Sequence, residues 1–221
     1  MKLGSLGALA LGSLLAACGR EEVRVLHYGN GQRWSEIRLH DGVPHGRWTT
    51  WFENGLEESD GAYVDGLRDG LWTVWWENGQ KQAEGRFVRG RPDGIWSHWF
   101  ASGLLANRGT FVDGILEGEW TDWYGDGTVR AHVTFRNGLQ DLVARSFYPA
   151  GGSKHEWTYD RGILHGPYRD FREDGSEWIL GQYEHGKQVG EWLVFRADGS
   201  VNENYSGHYE DGVRTRPWKP E

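Results

Sequence analysis

Cysteine is nearly absent: Cys18 is the single one in 221 residues. The chain after residue 18 therefore has no thiol for a disulfide, and its stability must come from other sources. Basic charge is also scarce. Asp and Glu number 32 against 24 Lys and Arg, for a formal charge of −8. Without Lys2, which lies in a leader segment, the balance is 23 − 32 = −9. That balance excludes a nucleic-acid surface built on basic charge. It also leaves no polybasic patch for an anionic membrane. The one long apolar run, Leu3 to Ala17, is too short for a stop-transfer helix. No window of the body holds a 3.6-residue apolar period over ten residues, so helix is not expected there.

What the chain has in excess is glycine (34) and tryptophan (14), and both are periodic. One turn glycine recurs at Gly31, Gly55, Gly79, Gly103, Gly127, Gly152, Gly175 and Gly199. A second recurs at Gly42, Gly66, Gly90, Gly114, Gly138, Gly162, Gly186 and Gly212. Nearly every step is 24 residues. Two landmarks on one period make this a repeat protein. The clearest unit is Gly70 to Gly94. In it, Trp72–Trp76 is rich in aromatic and β-branched residues and reads as a strand. Asn78-Gly79 reads as a tight hairpin turn. The return strand is expected over roughly Gln80 to Val88, with Arg89-Gly90 and Asp93-Gly94 connecting to the next unit.

Alternation puts Trp72, Val74 and Trp76 on one face, and Thr73 and Trp75 on the other. Equivalent positions give one row of Trp48, Trp72, Trp96 and Trp120, and another of Trp51, Trp75, Trp99 and Trp123. On the return strand a glycine precedes an aromatic by two places, as in Gly61/Tyr63, Gly85/Phe87 and Gly109/Phe111. A strand glycine is unfavourable unless something lies over its bare backbone. A neighbouring ring lying there offsets the loss. Each ladder ring buries on the order of 150–250 Å², roughly 4–6 kcal/mol gross at about 25 cal/mol/Å², most of which chain entropy consumes. The expected fold is all-β: an elongated single-layer antiparallel sheet of about eight hairpins, on the order of 75 Å long at ~4.8 Å per strand.

The pattern G-x-W-x-x-W/F-x-x-x-G followed by G-x-F/Y-V-x-G-x-x-x-G resembles the MORN repeat. It is most similar to the bacterial variant found in YwqK-family antitoxins. The likeness runs from about Gly29 to Gly212 and implies serial hairpins in one twisted sheet. Such repeats serve as scaffolds, membrane-contact modules and partner-binding surfaces. Leu15-Ala16-Ala17-Cys18, after Lys2 and the apolar run, resembles a bacterial lipobox. That implies cleavage of 1–17, lipidation of Cys18 and a place in the bacterial cell envelope. By the sorting rule for Gram-negative lipoproteins, Gly19 in place of Asp implies the outer membrane. The segmentation is then a leader over 1–17, a lipidated tether over 18–26, repeats over 27–214 and a cap over 215–221. Regularity fails between Gly138 and Tyr159, where the glycine expected near Leu142 and the tryptophan expected near Ala144 are missing.

No catalytic constellation emerges. His45 and His165 precede repeat glycines, and no histidine pair has zinc-site spacing. His155-Glu156-Trp157-Thr158-Tyr159 lacks the second histidine of HExxH. Asp41, Asp65, Asp69, Asp93, Asp113 and Asp126 sit in turns, which such residues build. The reading is thus non-enzymatic, without cofactor or metal. Gly55, Gly66, Gly79, Gly90, Gly103 and Gly114 are structural, as are Trp48, Trp72, Trp96 and Trp120. An open sheet cannot hide both faces, so the Trp51, Trp75, Trp99, Trp123 stripe is the candidate surface for a partner protein. The alternatives are an envelope glycan or lipid on the same stripe and, third, a carboxylate-dependent hydrolase in the irregular zone.

Overall fold

The computed structural model describes residues 19–219. The leader, Cys18, and Pro220 and Glu221 of the expected cap lie outside the described residues. Eighteen strands form one antiparallel sheet. In chain order they are β1 (Glu21–His27), β2 (Arg33–His40), β3 (Val43–Trp51), β4 (Glu57–Val64), β5 (Leu67–Trp75), β6 (Lys81–Val88), β7 (Arg91–Trp99), β8 (Leu105–Val112) and β9 (Ile115–Trp123). Then come β10 (Val129–Arg136), β11 (Leu139–Gln140), β12 (Leu142–Phe147), β13 (Ser153–Asp160), β14 (Ile163–Phe171), β15 (Glu177–Glu184), β16 (Lys187–Val194), β17 (Gly207–Glu210) and β18 (Val213–Pro217). Neighbours in sequence pair with each other, except that β10 pairs with both β11 and β12. The sheet is therefore open, with β1 and β18 at its ends. The expected tether is corrected here: Glu21 to Leu26 belong to β1, which completes the first hairpin. The expected cap likewise begins inside β18.

The two turn glycines do different work from that expected. Asn78-Gly79 does not form a two-residue turn. Only Gly79 has positive φ, inside a longer loop closed by Trp76 N–H to the Gln80 carbonyl at 2.8 Å. The Asn78 side chain accepts from Gln80 N–H and donates to the Ala101 carbonyl of the next hairpin at 2.7 Å. The two-residue turns are at the other edge. Asp65/Gly66, Arg89/Gly90, Asp113/Gly114 and Arg161/Gly162 have positive φ at both positions, as a primed hairpin turn requires. Gly94 is not in a connection but inside β7, where Gly94, Ile95 and Trp96 oppose the single residue Gly85.

Trp76 also leaves its expected place on the strand face. β5 ends at Trp75, and the Trp76 indole N–H donates to the Trp99 carbonyl one hairpin on, at 3.0 Å. Tyr28, Tyr124 and Tyr148 make the same reach with their hydroxyls, to the carbonyls of Trp51, Phe147 and Phe171. At the opposite edge Gly66 N–H donates to Pro44 O and Gly90 N–H to Arg68 O. Hairpins that carry Tyr or Trp at this position are thus latched to the next at both ends, beyond the ladder itself, whereas Phe52 and Phe100 offer no donor there.

One face carries the packing row. Ring centroids step from Trp48 to Tyr63 (5.8 Å), Trp72 (5.3 Å), Phe87 (6.0 Å), Trp96 (5.0 Å), Phe111 (6.3 Å) and Trp120 (6.1 Å). Most meet edge to face, the arrangement that ring quadrupoles favour. A ring of the next hairpin lies over Gly61, Gly85, Gly109 and Gly181, as expected, whereas at Gly207 the Arg214 side chain takes that place. A Cβ added at Gly61 would fall 2.3 Å from Trp72, and one at Gly85 2.1 Å from Trp96. The row resumes as Tyr168, Tyr183, Trp192 and Tyr209.

Between these runs the large and small partners change places. Val133 stands where the glycine recurs, and Ala144 where the next tryptophan recurs. Ala144 is 3% exposed and pairs with Trp157, which occupies the following glycine position. Leu142 keeps the left-handed conformation (φ 62) that glycine supplies at Gly118 and Gly166. The irregular unit therefore keeps the backbone plan and exchanges ring for methyl across the strand pair.

Candidate binding face

The opposite face holds the Trp51, Trp75, Trp99, Trp123 stripe. Each residue is the last of an outgoing strand, β3, β5, β7 or β9. All four rings are half-buried. Their neighbours are polar. Thr49 Oγ1 donates to Asp60 at 2.9 Å, and Arg47 pairs with the same carboxylate at 2.6 Å. One hairpin on, Thr73 donates to Glu84, which also holds Lys81 at 2.6 Å. Arg33 lies 6.0 Å from the Trp51 ring and Lys81 5.8 Å from the Trp99 ring, a cation–π spacing. The stripe continues past the four tryptophans as Phe147, Phe171 and Phe195, each 24 residues on. Phe147 lies in the irregular unit, and its signal was the period alone. Shallow hollows recur on this face, one against Trp51 with Arg33, Arg38 and Thr49, another against Trp123 with Arg108 and Thr121.

Of the residues read as structural, Gly55, Gly79 and Gly103 lie in the longer loops, Gly66, Gly90 and Gly114 in the two-residue turns, and Trp48, Trp72, Trp96 and Trp120 on the packing face. The acids have structural partners, although Asp69 and Asp93, expected in turns, lie inside β5 and β7. Asp69, Asp93, Glu117 and Asp141 each accept a backbone N–H from the next two-residue turn. These are the N–H groups of Arg89, Asp113, Asn137 and Arg161, all at positive φ. His45 and His165 occupy the same column, each with Nδ1 3.5 Å from the corresponding N–H. Asp126 accepts the Thr128 hydroxyl at 2.6 Å, which with the Thr128 N–H holds its carboxyl below the usual carboxylate range. No group of three or more His, Cys, Asp or Glu among the described residues is arranged to hold a metal ion.

One constellation was not legible beforehand. Ser146, His155 and Asp170 line up across β12, β13 and β14 on the packing face. His155 Nδ1 bonds Asp170, which also accepts the Tyr168 hydroxyl at 3.0 Å. The Ser146 Oγ is buried and bonds neither of them. These strands are internal, with neighbours on both sides taking up their backbone N–H groups. The geometry thus fixes a buried carboxylate without assembling an activated nucleophile. Burial first, and then the Asp170 charge, raise the Tyr168 hydroxyl pKa above its ordinary value, and the same two causes raise that of Tyr183. Above about pH 10 the unfolded chain loses these protons while the folded chain keeps them, so stability falls as pH rises. Urea titrations between pH 8 and 11 should show this loss, and Tyr168→Phe should flatten it.

The packing glycine, the ring over it and the two turn types recur from hairpin to hairpin. The MORN repeat variant matches this chain at residues 68–88 and 116–137. The first match spans β5 and β6, the second β9 and β10, each one hairpin of the sheet. No curated protein is significantly similar to the chain. Two hairpins of the sheet thus match the MORN repeat variant, and the stacking of hairpins into one open sheet is consistent with a MORN repeat sheet.

Proposed function

We propose that the chain is a non-enzymatic binding scaffold that offers its tryptophan-stripe face to a partner protein. The carrying observation is the row of half-exposed rings at one period, with Arg33 and Lys81 over two of them. Tryptophan and arginine are the residue types enriched where binding energy concentrates. MORN-type repeats are often used in binding and scaffolding, which supports the same reading. The finer version is an immunity-like or antitoxin-like role, by resemblance to the YwqK family. The lipobox-like Cys18 would hold the scaffold at a bacterial envelope, on the outer membrane in a Gram-negative cell. A second reading, an envelope glycan on the same face, is favoured by the Asp60 and Glu84 carboxylates and threonine hydroxyls beside the rings.

The test is in-cell crosslinking and affinity capture with the full chain, beside a Trp51/Trp75/Trp99/Trp123→Ala variant of matched circular dichroism. The expected result is one protein in near-equal amount with the parent, reduced at least tenfold with the variant. Recovery of no specific protein by the folded parent would overturn the protein-partner reading. Retention on peptidoglycan that Trp75→Ala/Trp99→Ala abolishes would then assign the face to sugar rings.

A further inference from the structure

The two ends of the sheet are finished differently. At β18, Pro217 removes a backbone donor, and the Arg214 guanidinium folds back onto the carbonyls of Glu203, Asn204 and Ser206. A proline on an edge strand blunts it against further pairing. β1 carries no such device. Among the described residues its outer edge pairs with nothing, and it has no proline, lysine or bulge along Glu21–Leu26. Val23 is 56% exposed and Leu26 43%. A partly apolar edge strand without an irregularity over Glu21–Leu26 is a template for another strand.

We infer that the occupant of this edge is β1 of a second copy, paired antiparallel with Val23 on the two-fold axis. The charge sequence selects that register. With the axis at Val23, Glu22 faces Arg24 of the other copy and Arg24 faces its Glu22, giving two opposite-charge pairs. With the axis at Glu22, two carboxylates and two Arg20–Arg24 pairs meet. With the axis at Arg24, two guanidinium groups meet. Directly opposed like charges destabilise an antiparallel pair, and opposite charges support it. Within one chain Arg24 and Glu22 already lie 3.2 Å apart, so both project on one side of the strand and are available to exchange partners. On the other side Val23 meets Val23, and Val25 meets the stem of Glu21. The contact is isologous, so it closes at two copies. Its product is one continuous sheet twice as long, with both β18 edges outward. This inference is independent of what the tryptophan face binds.

The test is disulfide trapping in the full chain under mild oxidation, read on non-reducing gels against the parent. Opposed residues of an antiparallel pair have Cβ atoms about 4.5–5.5 Å apart, close to disulfide reach. Val23→Cys should therefore give a covalent dimer that the parent, with Cys18 alone, does not. Val25→Cys should not, because its two copies are four residues out of register, roughly 13 Å apart. Arg24→Glu added to Val23→Cys should weaken the dimer about tenfold by opposing like charges. Glu22→Arg/Arg24→Glu should restore it, since the pairs re-form with signs exchanged. Equal trapping at positions 23 and 25, or failure of the charge exchange to restore trapping in a folded chain, would overturn the inference.

Discussion

Gly61→Val should destabilise the sheet by about 3 kcal/mol, and removing the facing ring should restore much of that loss. The glycine is not needed for its backbone, since Gly61 lies in β4 with no positive φ. It is needed because the Trp72 ring lies on it, with Cδ2 2.3 Å from where a Cβ would be. The ring cannot yield. It is 3% exposed, wedged between Tyr63 and Phe87, covered by the Arg68 guanidinium at 4.5 Å and bonded through its N–H to the Ala62 carbonyl. Trp72→Ala alone should cost about 3–5 kcal/mol through the cavity it opens. The pair Gly61→Val/Trp72→Ala should cost less than the sum of the two by about 2 kcal/mol or more. The protein already contains that combination, as Val133 and Ala144. Urea unfolding of the four chains of the cycle measures the coupling. An additive double variant would mean that the ring and the glycine are not packing partners.

Asp170→Ala should cost roughly 2–5 kcal/mol, because two buried or half-buried donors lose their acceptor at about 1–3 kcal/mol each. The carboxylate is 4% exposed and answers two donors at once, His155 and Tyr168. Its loss leaves both without a partner, which is more costly than never having buried them. Asp170→Asn keeps one acceptor oxygen in the same volume and should cost clearly less. Because each hairpin touches mainly its neighbours, the damage should stay local. Hydrogen exchange should quicken across β12–β14 and remain slow across β3–β6. Uniform acceleration along the whole sheet would show instead that the chain unfolds as one cooperative unit.

Several features were legible because they repeat within one chain segment. The 24-residue period, the all-β class, the pairing of strand glycine with ring, and the structural use of the turn acids all follow from local chemistry read eight times over. β1 was not read as a strand because no aromatic run marks it, although Val23 and Val25 alternate. The primed turns were assigned to Asn-Gly, the usual pair, whereas positive φ at both positions falls on Asp-Gly, Arg-Gly and Asn137-Gly138 at the other edge. Arg89 and Arg161 adopt that conformation against their own preference, because closure between β6 and β7, and between β13 and β14, leaves no other path.

The order of small and large residues along the chain sets where it turns and which residues share a face, because side-chain alternation and positive φ are properties of two or three consecutive residues. Contacts between hairpins are decided only in the assembled sheet. There Trp76 leaves its strand to reach the Trp99 carbonyl, Ala144 and Trp157 pair with small and large exchanged, and Ser146, His155 and Asp170 come side by side. Each joins residues on separate strands, and an antiparallel pairing selects their register through the sum of contacts along both strands. No single segment carries that sum, so it becomes readable only when the strands lie next to one another.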